Sequence, residues 1–184
     1  INDLKLILNV IDKEKNEMTK MKNRALILVG FAGGFRRSEL VAIFYEDIEF
    51  VSEGVKIFVK RSKTDQSGEG MTKGIPYFVN SENCPVVALK KWIEKSDIKS
   101  GKIFNMSDKN VALTLKKYVA LAGLDSNRYS GHSLRSGFAT STAELGAEER
   151  SIMNMTGHKT TQMVRRYIKE ANLFKNNALN KIKL

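Results

Sequence analysis

A mainly α fold of the α+β type is predicted, with helices over most of the chain and one small antiparallel sheet inserted early. Three observations predict it. Apolar residues recur at helical spacing through most of the sequence, strict alternation is confined to an early stretch, and glycines close the periodic segments. At 184 residues the chain falls in the size range of one domain with its own core.

The elements follow in order. From Thr19 to Ala32, Met21, Ala25, Leu28, Val29 and Ala32 fall at helical spacing, and Gly33-Gly34 interrupts them. A second helix is expected beyond the break, over Arg36 to Phe44. Residues Gly54 to Lys60 alternate with Val55, Ile57 and Val59 on one face, and Ile75 to Val79 is a second β-prone segment. Between them, Ser62 to Gly74 holds Gly68, Gly70 and Gly74 among polar residues and reads as a long connection. Pro85 suits the first turn of a helix striped by Val86, Leu89, Trp92 and Ile93. Ser107 caps the next helix, which carries Val111, Leu115, Tyr118, Val119 and Ala122 and stops at Gly123. Ser133 to Leu145 and Glu148 to Met155 are two further helices, ended by Gly146 and Gly157. A helix around Tyr167 and a last amphipathic stretch, Asn172 to Ile182, complete the chain.

Lysines and arginines number 31 against 20 acidic residues, a formal charge of +11. Such an excess favours a polyanionic partner, nucleic acid first, although a merely soluble basic protein would share it. The single cysteine, Cys84, excludes an internal disulfide framework and fits a reducing, intracellular setting. The longest apolar run, Ala25 to Gly34, is far short of the ~20 residues that cross a bilayer. No leader begins the chain, and a start at Ile1 without methionine suggests a piece of a longer protein.

Four motifs could carry chemistry. In G-F-R-R-S-E-L, Arg36 and Glu39 are three apart and share a helix face, while Arg37 points elsewhere. A guanidinium held by a carboxylate offers its other donors as a fork for phosphate oxygens; an ordinary surface ion pair has the same pattern. In G-H-S-L-R-S-G, His132 and Arg135 are three apart at a helix start, where unpaired N–H groups and the dipole favour an anion. A histidine there can equally be a cap or a packed ring. Lys63, in R-S-K-T-D-Q, lies where a strand runs into the loop, either solvated or turned into a cleft to donate a proton. Tyr167 follows His158 by nine residues and has Met163, Val164 and Ile168 as apolar companions, so periodicity alone makes it core. A phenol ionises near pH 10, and a nucleophilic role needs cationic neighbours.

Taken in order, G-F-R-R-S-E-L, R-S-K-T-D-Q, G-H-S-L-R-S-G and T-G-H-K-T-T-Q-M-V-R-R-Y resemble the catalytic domain of the tyrosine site-specific recombinases, or phage-type integrases, from about Gly30 to Leu179. The resemblance implies that family's catalytic fold, helical with a small antiparallel three-stranded sheet, over residues 1–184, and a DNA-binding core-binding domain upstream of them. It places the catalytic set on Arg36, Lys63, His132, Arg135, His158 and Tyr167, with Glu39 supporting Arg36 and Arg37 at a variable position. Arg61, Ser133 and Lys159 are implied as further DNA contacts.

The implied chemistry is strand exchange through a covalent intermediate. Tyr167 attacks a backbone phosphate to form a 3′-phosphotyrosyl bond, and Lys63 protonates the leaving 5′-oxygen. Arg36 and Arg135 neutralise the transition state, His158 donates to a non-bridging oxygen, and His132 assists removal of the tyrosine proton. No cofactor is implied, neither ATP nor metal. The residues agree: acids are scattered rather than clustered as two-metal nucleases need, and two histidines with one distant cysteine offer no zinc spacing.

The implied partners are double-stranded DNA and other protomers, with a monomer in the free state and a tetramer on DNA. The stretch Asn172 to Ile182, with Leu173, Phe174, Leu179 and Ile182, resembles the segment family members dock on a neighbouring protomer. No membrane is involved, and the expected location is the bacterial cytoplasm, at the nucleoid. Two other readings keep the basic surface: a catalytically silent DNA-binding relative, whose sign would be a lost nucleophile or arginine, and a covalent topoisomerase that relaxes DNA without exchanging partners.

Overall fold

The computed structural model describes residues 1–60, 69–158, 160–172 and 182. Its helices, in chain order, are α1 (Asn2–Ile11), α2 (Glu17–Ala32), α3 (Arg37–Leu40), α4 (Pro85–Ser96), α5 (Asp108–Leu121), α6 (Ser133–Glu144), α7 (Glu149–Thr156) and α8 (Thr161–Asn172). Strands β1 (Ile48–Val51), β2 (Gly54–Val59) and β3 (Met71–Pro76) fall between α3 and α4. They form one antiparallel sheet in the order β1-β2-β3, so the mainly α fold with a small three-stranded sheet is the one observed.

Helix α2 organises the core. Asn16 caps it by accepting from the Thr19 N–H at 2.8 Å, and the five consecutive residues Ala25 to Val29 are all buried. A helix buried on every side needs neighbours all round, and α1, α4 and α6 supply them. Helix α1 has no counterpart among the predicted elements. Its signal is plain in hindsight, since Leu4, Ile7, Leu8 and Ile11 keep helical spacing and the last three are buried.

The helix expected over Arg36 to Phe44 is cut to four residues. Beyond Leu40 the backbone turns away because tertiary pairing overrides helix propensity: Ile43 O accepts from the Ile103 N–H at 3.0 Å, and Phe44 makes an antiparallel bridge to Lys102. The second β segment also differs. Strand β3 begins at Met71, inside the predicted loop, and stops at Pro76, so Tyr77 to Val79 are not strand. Its register sets Ile57 opposite Lys73 and Val55 opposite Ile75, which turns Lys73 and Ile75 to the buried face.

The remaining helices match expectation within a residue or two. Ser107 caps α5, accepting from the Asn110 N–H at 3.2 Å, and α7 ends at Gly157 in the left-handed region, with φ at 62°. Helix α8 packs against α6 and α7 around a small second core of Ala139, Ala143, Ile152 and Val164. Of the final amphipathic stretch, residues 173–181 lie outside the described residues, as do Arg61, Lys63 and Lys159.

Candidate anion-binding active site

The centre of the site is the Gly33-Gly34 turn between α2 and α3. Gly34 adopts φ of 54°, and a Cβ there would lie 3.1 Å from Phe138 and 3.2 Å from Thr156. Only glycine meets both demands without strain, so helices α6 and α7 close directly on this turn. Two side chains bind its carbonyls from different elements. Arg135, one turn into α6, donates from Nη1 to Gly34 O at 3.0 Å. Lys73, on β3, donates from Nζ to Gly33 O at 2.8 Å and to Gly34 O at 3.5 Å.

Arg36 stands beside this turn as the N-cap residue of α3. Glu39 holds it twice, with Oε1 2.5 Å from Arg36 Nη1 and Oε2 accepting from the Arg36 N–H at 2.9 Å. The carboxylate is buried, and its Oε2 is also 3.9 Å from Lys73 Nζ, so the pair is no solvated surface bridge. Arg37 does point elsewhere, toward Asp108 at 3.9 Å.

His158 follows the Gly157 turn and is buried. Thr156 fixes its ring: the hydroxyl oxygen lies 2.8 Å from His158 Nδ1 and 2.6 Å from Ile152 O. Tyr167, half-buried on α8, sets its ring 6.3 Å from that of His158 between centroids, while also packing on the small core beside Met153 and Ile168. Tyr167 thus packs on the small core while its ring also lies near that of His158.

Charge sums to an excess of cation. Burial brings Arg135 down to about 10, with Arg36 adding to the shift and Glu39 and Tyr167 opposing it. Burial likewise takes His158 down to about 4, helped by Arg135, Arg36 and Lys73 and opposed by Glu39. Lys73 is lowered to about 8 by burial, with Glu39 resisting and the two arginines assisting. One buried carboxylate thus faces three cations. Moreover, Arg135 Nη2 is buried and has no hydrogen-bond partner among the described residues. An unpaired buried guanidinium nitrogen costs free energy unless a ligand meets it, and an oxyanion supplies both acceptor and charge.

The structure therefore brings Arg36, Glu39 and Arg135 to one turn, with His158 in electrostatic reach of both arginines and Tyr167 beside His158. His132 sits at the N-terminal end of α6, one turn before Arg135, with its side chain exposed. Ser133 is the first residue of that helix, its hydroxyl accepting from the Ser130 N–H at 2.8 Å. Lys73 and Thr156 are additions that sequence reasoning passed over. Lys73 had a signal, since it precedes Ile75 by two residues and shares its face of the strand.

Comparison with known proteins matches residues 2–173 to the phage integrase family. The chain belongs to that family. An integrase/recombinase xerD homolog of Selenomonas ruminantium is 48% identical over 191 residues, covering 97% of this chain and 55% of that protein. The catalytic domain of bacteriophage HP1 integrase superposes with a TM-score of 0.63 at 19% identity, covering 99% of this chain and 96% of that one. A lambda integrase tetramer bound to a Holliday junction superposes with a TM-score of 0.60 at 16% identity, over 99% of this chain and 49% of that one. The chain spans about half the length of the curated relatives it matches. As a phage integrase family member, it sets Arg36 at the N-cap of α3, Arg135 on α6, His158 just beyond α7 and Tyr167 on α8.

Proposed function

We propose that this chain is the catalytic domain of a site-specific DNA recombinase that cuts and rejoins strands through a 3′-phosphotyrosyl intermediate. The observation that carries the reading is Arg135 Nη2, buried and unpartnered among the described residues, beside Arg36, His158 and Tyr167. The family relationship and the superposition on a domain named as catalytic support it.

In the proposed reaction Tyr167 Oη attacks the phosphorus of a backbone phosphodiester. A bond from Oη to phosphorus forms and the bond from phosphorus to O5′ breaks, with its electron pair leaving on O5′. The tyrosine proton passes to His132 and O5′ takes a proton from Lys63, so charge is balanced within one transesterification. Arg36, held by Glu39, and Arg135, held by Gly34, neutralise the equatorial oxygens; His158 donates a further hydrogen bond. Attack of a 5′-hydroxyl on the phosphotyrosine returns the phosphodiester, and because one ester replaces another, neither ATP nor metal enters. Double-stranded DNA is the proposed substrate, and assembly of several protomers on it would bring two duplexes together. No helix among the described residues is long and apolar enough to cross a membrane.

The test starts from nicked duplexes with a randomised centre, from which the protein selects its site by covalent capture. Two duplexes bearing that site, one labelled, are then mixed with the chain. Joint molecules carrying the label in the unlabelled partner's length are expected. Relaxation of a supercoiled plasmid without joint molecules would replace strand exchange by simple relaxation.

A further inference from the structure

Lys73 is a motif-less residue at the middle of the site. Its side chain is fully buried, and the acceptors it meets among the described residues are two backbone carbonyls and a carboxylate. The Nζ group donates to Gly33 O at 2.8 Å, approaches Gly34 O at 3.5 Å and Glu39 Oε2 at 3.9 Å, and lies 4.4 Å over the Phe35 ring. A methionine of similar length would fill this space without the desolvation of an ammonium, so retention of the charge calls for a reason.

The reason lies in what those acceptors hold. Gly34 O is also the anchor of Arg135, and Glu39 is also the anchor of Arg36. We propose that Lys73 is a positioning residue for the anion site: its ammonium pins the Gly33-Gly34 turn and the Glu39 carboxylate, so that the two guanidinium groups converge on one oxyanion. This rests on reading the site as the place where a phosphate group is held. Lys73 does not itself touch that group, because its nitrogen is enclosed and spent on the two carbonyls and the carboxylate. It acts through Arg36 and Arg135, and its role differs from the proton donation assigned to Lys63.

The charged groups facing Lys73 are Glu39 and Arg36 from α3 and its cap, and Arg135 from α6; His158, after α7, feels its charge. Arg135 is brought to about 10 and His158 to about 4, whereas Lys73 is brought to about 8 and loses its proton between neutral and mildly alkaline pH. A positioning ammonium therefore leaves a signature that a space-filling side chain would not.

The test uses the whole chain and inorganic sulfate, whose charge is constant from pH 7 to 9, with binding read from the arginine guanidinium signals by NMR. Wild-type affinity for sulfate is expected to fall roughly tenfold from pH 7 to 9. Lys73→Met is expected to bind about tenfold more weakly at pH 7 and to show no such fall, whereas Lys73→Arg keeps most of the affinity with a flat profile. Wild-type binding that stays flat over this range, or Lys73→Met binding equal to wild type at pH 7, overturns the proposal. The wild-type profile decides alone should the methionine variant not fold. Because sulfate binding requires no DNA cleavage, a chain with this profile that never forms a DNA adduct keeps the Lys73 role and loses the recombinase reading.

Discussion

Arg135 and Gly34, 101 positions apart in sequence, are joined by a 3.0 Å hydrogen bond from the guanidinium to the carbonyl. That bond ties the helix carrying one motif to the turn introducing another, and it leaves the buried Nη2 as the donor without a partner among the described residues. Gly34→Ala places a Cβ 3.1 Å from Phe138 at a φ of 54°. The variant should lose about 1–3 kcal/mol in urea unfolding, from strain at φ above zero. Its DNA cleavage should fall further than that loss explains, since the turn moves both arginines.

Removing the charge of Glu39 strands its partners. The carboxylate sits against Arg36 and near Lys73 with almost no solvent contact. Glu39→Gln should therefore cost about 3 kcal/mol of stability by denaturant unfolding, because a buried cation loses its counter-charge. A surface bridge would have cost under about 1 kcal/mol.

Acid should unfold the chain through His158. Folding lowers its pKa to about 4 by burial among Arg135, Arg36 and Lys73, from an ordinary value of 6.5. Between those values the unfolded chain binds a proton that the folded chain does not, so stability rises with pH across that window. The contribution is complete above pH 6.5 and is lost as pH falls toward 4, by about 1–3 kcal/mol. Chemical denaturation from pH 7 to 4 should show this slope, and His158→Gln should flatten it.

Thr156 should decide which nitrogen of His158 carries the proton. Its hydroxyl lies between Ile152 O and His158 Nδ1, at 2.6 and 2.8 Å. Donation from His158 Nε2 to a phosphate oxygen requires the Thr156 hydroxyl to turn its one proton from Ile152 O to Nδ1, which leaves the neutral ring in the Nε2–H tautomer. Nitrogen chemical shifts of the DNA-bound protein should report that tautomer. In Thr156→Val, the shifts should change and cleavage should slow while stability falls by about 1 kcal/mol.

How much of this could be seen in the sequence depends on whether local or long-range interactions decide each element. Helix α5 was legible because its cap, stripe and terminal glycine all lie within its own residues. The truncation of α3 was not, because Ile103 and Lys102, about sixty residues away, take the backbone that helix propensity would have used. The motif residues were legible as types at spacings, but their convergence was not: Arg36, Arg135 and His158 meet through carbonyls and a hydroxyl that carry no sequence signature. Lys73 was hidden for the same reason, its carbonyl partners being backbone. The alternation of β3 shows it only once strand limits are known.

The most direct measurement is a peptide map of the covalent DNA adduct. The chain is incubated with a nicked duplex recovered by capture, digested with protease and nuclease, and analysed by mass spectrometry. A nucleotide phosphate on Tyr167, and no adduct from Tyr167→Phe, is the predicted result. An adduct on another residue, or one formed equally by Tyr167→Phe, would contradict the account.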